Sequence, residues 1–149
     1  MWNFKNDPNK NVSSWEHKES LQTVICLVKN LLQSTFGSKT QYLTFVCLTA
    51  STQQKTEARY KEFSEIICND LNMGNAFSYI RVIEDGNSKH DGGTGTRRVT
   101  YDNYFFRGKY VVLFDDVRTT GISLEREKQI LEELGAKVIC AITIAQTKH

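Results

Sequence analysis

Two adjacent carboxylates followed by a hydroxyl-rich turn form the part of the sequence best suited to chemistry. These residues are Asp115, Asp116, Thr119, Thr120, Gly121 and Ser123. Carboxylates accept hydrogen bonds from sugar hydroxyls or bind a divalent metal, whereas free N–H groups at the start of a helix favour an anion, phosphate above all. A ribose 5-phosphate presents both chemistries in one molecule. The alternative is an ordinary strand–turn–helix connection in which an aspartate caps the helix.

The surrounding pattern predicts a strand before these residues and a helix after them. Val111–Phe114 is an uninterrupted apolar run, which suits a central parallel strand covered on both faces. Ser123–Leu134 has helical spacing, and Gly135 is a typical C-terminal cap. A further strand is predicted over Lys137–Ala145. The acidic pair and the turn are therefore expected where a strand ends and a helix begins.

This stretch resembles the ribose-phosphate signature of the type I phosphoribosyltransferases, in which a hydrophobic strand precedes an acidic pair and a Thr-Thr-Gly turn. Ser123 stands where the family usually has threonine, and it keeps the hydroxyl. The resemblance implies that Asp115 and Asp116 bind the ribose and Mg²⁺. The implied ribose-phosphate site as a whole is Asp115, Asp116, Val117, Arg118, Thr119, Thr120, Gly121, Ile122 and Ser123.

A second candidate loop follows the first predicted strand, Tyr42–Leu48. In the resembled family, the strand before the signature neighbours the first strand, so the two loops share one cleft and the loop after the first strand binds pyrophosphate. The resemblance therefore implies Ala50, Ser51 and Thr52 as pyrophosphate-binding residues. Taken alone, these small residues fit a short polar turn equally well.

The segment between Glu84 and Thr100 is rich in glycine and predicts a long loop, which in a compact domain is usually functional. Its cations Lys89, Arg97 and Arg98 suit a lid over a departing pyrophosphate, and the resembled family uses a flexible loop here to exclude water. The alternative is a surface insertion with solvated charges.

The resemblance implies phosphoribosyl transfer. A nitrogen nucleophile attacks the anomeric carbon of 5-phosphoribosyl 1-pyrophosphate as pyrophosphate departs, through an oxocarbenium-like transition state. Mg²⁺ neutralises the pyrophosphate, because it binds oxygen ligands and phosphates. The predicted catalytic residues are Asp115, Asp116, Arg97, Arg98 and Lys89. Two alternatives stay open: a non-catalytic sensor of the sugar pyrophosphate or a nucleotide, and a ComF-like partner in DNA uptake or processing.

One position differs from the hypoxanthine-guanine-type members of the family. Where this chain has Thr119, those members carry an aspartate that serves as the base for a purine nitrogen. From about Tyr42 onward, the chain is more similar to ComF-like and predicted amidophosphoribosyltransferase-type members, a likeness carried by Arg59, Phe63 and Phe105–Lys109 as well as the signature. Residues 1–40 have no match and would supply any hood over the cleft. The acceptor base or amine is therefore not predicted.

Length and charge limit the remaining classes. The 149 residues predict a single domain, 1–149. A net charge of +2 is too small to argue for nucleic acid. No apolar run approaches the ~20 residues that cross a bilayer, and the N-terminus lacks the apolar region of a signal peptide. We expect a cytoplasmic protein whose partners are the sugar pyrophosphate and a nitrogen acceptor, with a homodimer left open and no membrane partner.

Four cysteines occur without a Cys-x-x-Cys spacing, and they are Cys26, Cys47, Cys68 and Cys140. Reduced thiols that act as small core residues are the favoured interpretation, with a zinc or redox site as the alternative.

The order of elements predicts the fold class. A helix is expected over Ser14–Gln33, a strand over Tyr42–Leu48, a helix over Thr52–Leu71 that ends at Gly74, and a strand over Phe77–Glu84. Alternating helices and strands of this kind predict an α/β fold, a doubly wound parallel sheet flanked by helices. Ligands of such sheets bind beyond the carboxyl ends of the strands.

Overall fold

The computed structural model of the chain describes the backbone of residues 14–83, 98–118 and 122–146, and the side chains of residues 21–83, 99–115 and 124–144. In chain order its helices and strands are α1 (Ser14–Phe36), β1 (Leu43–Cys47), α2 (Gln53–Leu71), β2 (Gly74–Asn75), β3 (Ile80–Ile83), β4 (Arg98–Tyr101), α3 (Asn103–Phe106), β5 (Tyr110–Arg118), α4 (Ile122–Glu133) and β6 (Lys137–Gln146). Short 3₁₀ helices cover Gly37–Tyr42 and Phe77–Tyr79.

Four of the strands form a parallel sheet in the order β2-β1-β5-β6. Helices α1 and α2 cover one face, and α3 and α4 cover the other. The predicted α/β fold with a parallel sheet flanked by helices is confirmed. The chain leaves β1 on one side to form β2 and later returns on the other side to form β5. The strand order therefore reverses between β1 and β5.

Buried aromatic rings fix α2 against the two central strands. Phe63 of α2 lies 4.8 Å from Phe114 of β5, and Phe45 of β1 lies 5.9 Å from the same ring, measured between centroids. All three are at most 1% exposed. Burial of a large apolar side chain contributes roughly 1.5–3 kcal/mol. This cluster therefore holds the carboxyl ends of β1 and β5 in a fixed relation.

Strand β5 is longer than the apolar run Val111–Phe114 indicates. The sequence places Asp115 and Asp116 after the strand, whereas β5 continues through both of them to Arg118. The cause is pairing with β6, which accompanies β5 to the end and sets Asp115 opposite Thr143. A neighbouring strand overrides the poor strand propensity of aspartate.

The strand predicted over Phe77–Glu84 is confirmed only for Ile80–Ile83, and it does not join the parallel sheet. Only Gly74–Asn75 joins the parallel sheet, and a 3₁₀ turn separates it from β3, which pairs antiparallel with β4 outside that sheet. We call this two-stranded unit, β3 and β4, the ribbon. Arg98 and Val99, which the sequence predicts as part of the loop between Glu84 and Thr100, belong to β4.

Gly74 does not end α2. That helix is closed by Asn72, which adopts the left-handed conformation with φ 58°. Gly74 instead allows β2 to approach β1 closely, since a Cβ atom there would lie 3.0 Å from Oγ1 of Thr44. Among the helices that the structure describes, none combines the length and the apolar character needed to cross a membrane.

Candidate functional site

The reversal of strand order between β1 and β5 marks the candidate site. In open α/β sheets, ligands bind in the crevice outside the carboxyl ends of the two strands at such a point. The two strands pair in register up to Cys47 and Phe114, and the N–H of Leu48 donates to the carbonyl of Phe114 at 2.9 Å. The turn after β1 and the carboxylate of Asp115 therefore lie at the same edge of the sheet.

The turn after β1 is bonded to the first turn of α2. The N–H of Ala50 donates to Oγ1 of Thr56 at 3.0 Å, and that hydroxyl donates to the carbonyl of Thr52 at 2.7 Å. The hydroxyl oxygen of Thr52 accepts from the N–H of Lys55 at 3.0 Å, which caps the helix. Both ends of the turn are therefore held in place without a ligand.

The three predicted pyrophosphate-binding residues lie in different environments. Ala50 is buried, Thr52 is half-buried at its capping position, and Ser51 exposes its side chain. Their binding role stays a prediction. The sequence pattern does not single out Thr56, which is 4% exposed and holds the turn. The available signal was a threonine four residues after a capping threonine, close enough in a helix to bond back to its carbonyl.

Asp115 is half-buried near the end of β5. Side chains alternate between the faces of a strand, so Asp115 points to the same face as Leu113. That face carries α3, α4 and the ribbon, because Leu113 packs in the same core cluster as Phe106, Leu131 and Ile80. The carboxylate is therefore directed toward the α4 side of the sheet.

Several predicted site residues are described only in their backbone. Asp116, Val117 and Arg118 continue β5, Ile122 and Ser123 begin α4, and Arg98 begins β4 opposite Ile83. The predicted residues Thr119, Thr120, Gly121, Lys89 and Arg97 lie outside the described residues.

Two side-chain contacts tie the ribbon to α2 and α4. Oε1 of Gln53, the first residue of α2, accepts from the N–H of Val82 at 2.8 Å. The hydroxyl of Tyr101, the last residue of β4, donates to the carboxylate of Glu127 in α4. The ribbon is thus bonded to the helices that follow the two candidate loops.

The cysteines are all free thiols, with Cys26 exposed and Cys68 buried. Burial raises the pKa of the Cys68 thiol to about 12 and also raises the pKa of Cys140. Among the described side chains, which do not include Asp116, no three metal-ligating residues cluster.

Solved structures share this architecture. An adenine phosphoribosyltransferase is 15% identical, with a TM-score of 0.61 over 96% of this chain and 82% of that chain. The fold is that of the type I phosphoribosyltransferases. A phosphoribosylpyrophosphate synthetase from Mycobacterium smegmatis is 19% identical, with a TM-score of 0.51 over 82% of this chain. This chain spans only 33% of the length of the synthetase. No family model and no curated protein matches the sequence.

The phosphoribosyltransferase fold brings together two of the three predicted groups, namely the turn after β1 and the acidic end of β5. Of the third group, the predicted cations, the structure describes only the backbone of Arg98, which begins β4 outside the parallel sheet. At these identities the likeness concerns the fold. It does not separate the ComF-like subgroup from other members.

Proposed function

We propose that the chain binds 5-phosphoribosyl 1-pyrophosphate with Mg²⁺ and transfers its phosphoribosyl group to a nitrogen nucleophile. The observation that supports this proposal is the parallel pairing of β1 with β5 at the reversal of strand order. It puts the turn Ala50–Thr52 and the carboxylate of Asp115 at one edge of the sheet, in a fold that an adenine phosphoribosyltransferase shares.

Each end of the ligand has its own group of residues in this proposal. Thr119, Thr120, Gly121 and Ser123 hold the 5-phosphate, together with the first N–H groups of α4, since a helix N-terminus attracts anions. Asp115 and Asp116 accept hydrogen bonds from the ribose hydroxyls. The turn Ala50–Thr52 binds the pyrophosphate. Arg97, Arg98 and Lys89 stabilise its charge as it departs.

The donor chemistry at the end of β5 fits Mg²⁺, which prefers carboxylate oxygens and phosphates. Asp115 offers a half-buried carboxylate at the proposed ribose position, and Asp116 is the second predicted ligand. The bound ion would supply positive charge to the leaving pyrophosphate. The chain itself holds the ribose in place, so that the nucleophile and the anomeric carbon react in a fixed orientation.

Calorimetry with the sugar pyrophosphate, with and without Mg²⁺, tests the proposal. We expect binding that requires Mg²⁺. The double variant Asp115→Asn with Asp116→Asn should weaken it by at least ~1.5–3 kcal/mol, the usual contribution of hydrogen bonds to charged groups. Asp70→Asn is the matched control, because it removes an acidic side chain whose partner is Lys29 of α1. No binding by the wild-type protein with Mg²⁺ present would refute the proposal.

Pyrophosphate release in the presence of candidate bases and amines then identifies the acceptor and separates catalysis from binding alone. We also propose that the chain is related to the ComF-like members of the family. The acceptor identified in this screen would test that relationship.

A further inference from the structure

The ribbon is attached to the rest of the molecule differently from the strands of the sheet. Within the described residues, β3 and β4 pair with each other and not with any strand of the parallel sheet. Ile80 and Val82 are buried, and Val99 and Tyr101 pack on the core between the sheet and α4. Apolar packing of this kind is not directional. The polar contacts of the ribbon add directional restraints to this packing.

The first contact starts at the turn proposed to bind pyrophosphate. Gln53 directly follows the capping residue Thr52, and its Oε1 accepts from the N–H of Val82. Its Nε2 donates to Glu57 at 3.4 Å, which orients the side-chain amide. Any displacement of the start of α2 is thereby transmitted to β3.

The second contact starts at α4, the helix that follows the residues proposed to bind the 5-phosphate. Glu127 of α4 is 7% exposed, and its carboxylate accepts from the hydroxyl of Tyr101. Hydrogen bonds to a charged acceptor are about twice as strong as neutral ones. The ring of Tyr101 also packs edge-on against Phe106 at 6.2 Å, so the hydroxyl is held toward α4.

We propose that Gln53 and the Tyr101–Glu127 pair are positioning residues, which fix the ribbon, and with it the backbone of Arg98, relative to helices α2 and α4. The inference rests on the proposed function, in which Arg98 acts on the pyrophosphate. Each contact originates in the helix that follows one loop, so the ribbon is aligned with both ends of the ligand. Loss of either contact shifts the ribbon while the turn after β1 keeps its own bonds to α2.

The two variants Gln53→Leu and Tyr101→Phe test this inference by calorimetry with two probes, the sugar pyrophosphate with Mg²⁺ and ribose 5-phosphate. Only the first probe carries the group on which Arg98 acts. We expect its affinity to fall about three- to tenfold in each variant, the worth of one hydrogen bond. The affinity for ribose 5-phosphate should stay within about twofold of the wild-type value. This probe lacks the pyrophosphate on which Arg98 acts, so the hydrogen bonds that position the ribbon contribute nothing to its binding.

Matched variants control for the type of side-chain change and for disruption of the turn after β1. Gln54→Leu makes the same change at an exposed neighbour of Gln53, and Tyr104→Phe removes the hydroxyl of a tyrosine that is 83% exposed. Both should bind like the wild type. Gln53→Ala, which also removes the acceptor oxygen, replaces the leucine variant if that does not fold. Tyr101 lies far along the chain from the pyrophosphate turn, so the same selective loss there excludes damage to that turn.

The outcomes distinguish this inference from the proposed function. Equal losses for the two probes, or no loss, would overturn the positioning role and leave the proposed function standing. A wild-type protein that binds neither probe would overturn the proposed function, and the positioning role with it.

Discussion

The bonded turn after β1 leads to a quantitative prediction for Thr56→Val. Valine has nearly the same shape as threonine, so packing is preserved while the hydroxyl is lost. The N–H of Ala50 then loses its acceptor in a buried position, whereas the carbonyl of Thr52 keeps the N–H of residue 56 as a donor at 3.0 Å. The dominant cost is therefore the loss of this acceptor by a buried N–H group, about 1–3 kcal/mol.

Thermal and urea unfolding measure this cost. At a shift of roughly 2–4 °C per kcal/mol for a chain of this size, the melting temperature should fall by about 2–12 °C. We also expect weaker binding of the sugar pyrophosphate and unchanged binding of ribose 5-phosphate. The reason is that the substitution loosens only the turn Ala50–Thr52, which is proposed to bind the pyrophosphate. Thr56→Ser keeps the hydroxyl and should retain the binding.

Thr40→Val is the matched control for this prediction. The Thr40 hydroxyl is also buried and donates to the carbonyl of Leu71 at 2.8 Å, just before β1 and thus at the opposite edge of the sheet. This variant should lose stability without losing affinity for either ligand. If Thr56→Val unfolds at the wild-type urea concentration, or if both variants weaken pyrophosphate binding equally, the account of the turn is incorrect.

Two further predictions concern the cations and the buried thiol. Arg97→Ala combined with Arg98→Ala should abolish pyrophosphate release with an acceptor while ribose 5-phosphate still binds; a phosphate-release assay and calorimetry check this, and loss of both would contradict it. Because burial raises the pKa of Cys68 from 9.0 to about 12, the unfolded thiol releases its proton near pH 9 and the folded one does not. Stability should therefore fall as pH rises above 9, and at pH 10 the loss due to this group is about 1 kcal/mol. The difference in the free energy of unfolding between the wild type and Cys68→Ala should therefore decrease between pH 8 and pH 10. In a separate assay at pH 8, iodoacetamide should modify Cys26 and leave Cys68 unmodified.

The central elements could be predicted from the sequence because their signals are local. The apolar run before Asp115 and the helical spacing of α2 reflect burial on a sheet face, and the apolar residues at that spacing in α2 are buried, namely Tyr60, Phe63, Ile67 and Leu71. The predicted helix that starts at Ser14 and the final strand from Lys137 also match α1 and β6 to within three residues.

The remaining features depend on partners far along the chain. The extension of β5 through Asp115 needs β6, and the division of the Phe77–Glu84 segment needs β4 as a partner for β3. Gln53 bonds to a residue 29 positions away, so no spacing rule indicates its contact with Val82. A surface glutamine at the start of a helix has no local signal that distinguishes it from Gln54.

The two outer strands of the parallel sheet differ greatly in length, and this difference affects how the protein behaves at high concentration. β2 has two residues, whereas β6 has ten and borders a single strand, β5, within the described residues. An outer strand of that length is a template for pairing with another polypeptide. Lys137 charges its beginning, but Ile139 is apolar and 43% exposed. In concentrated solution we therefore expect aggregation to begin by pairing along β6. Ile139→Lys should reduce this aggregation, because it places a charge on the exposed strand.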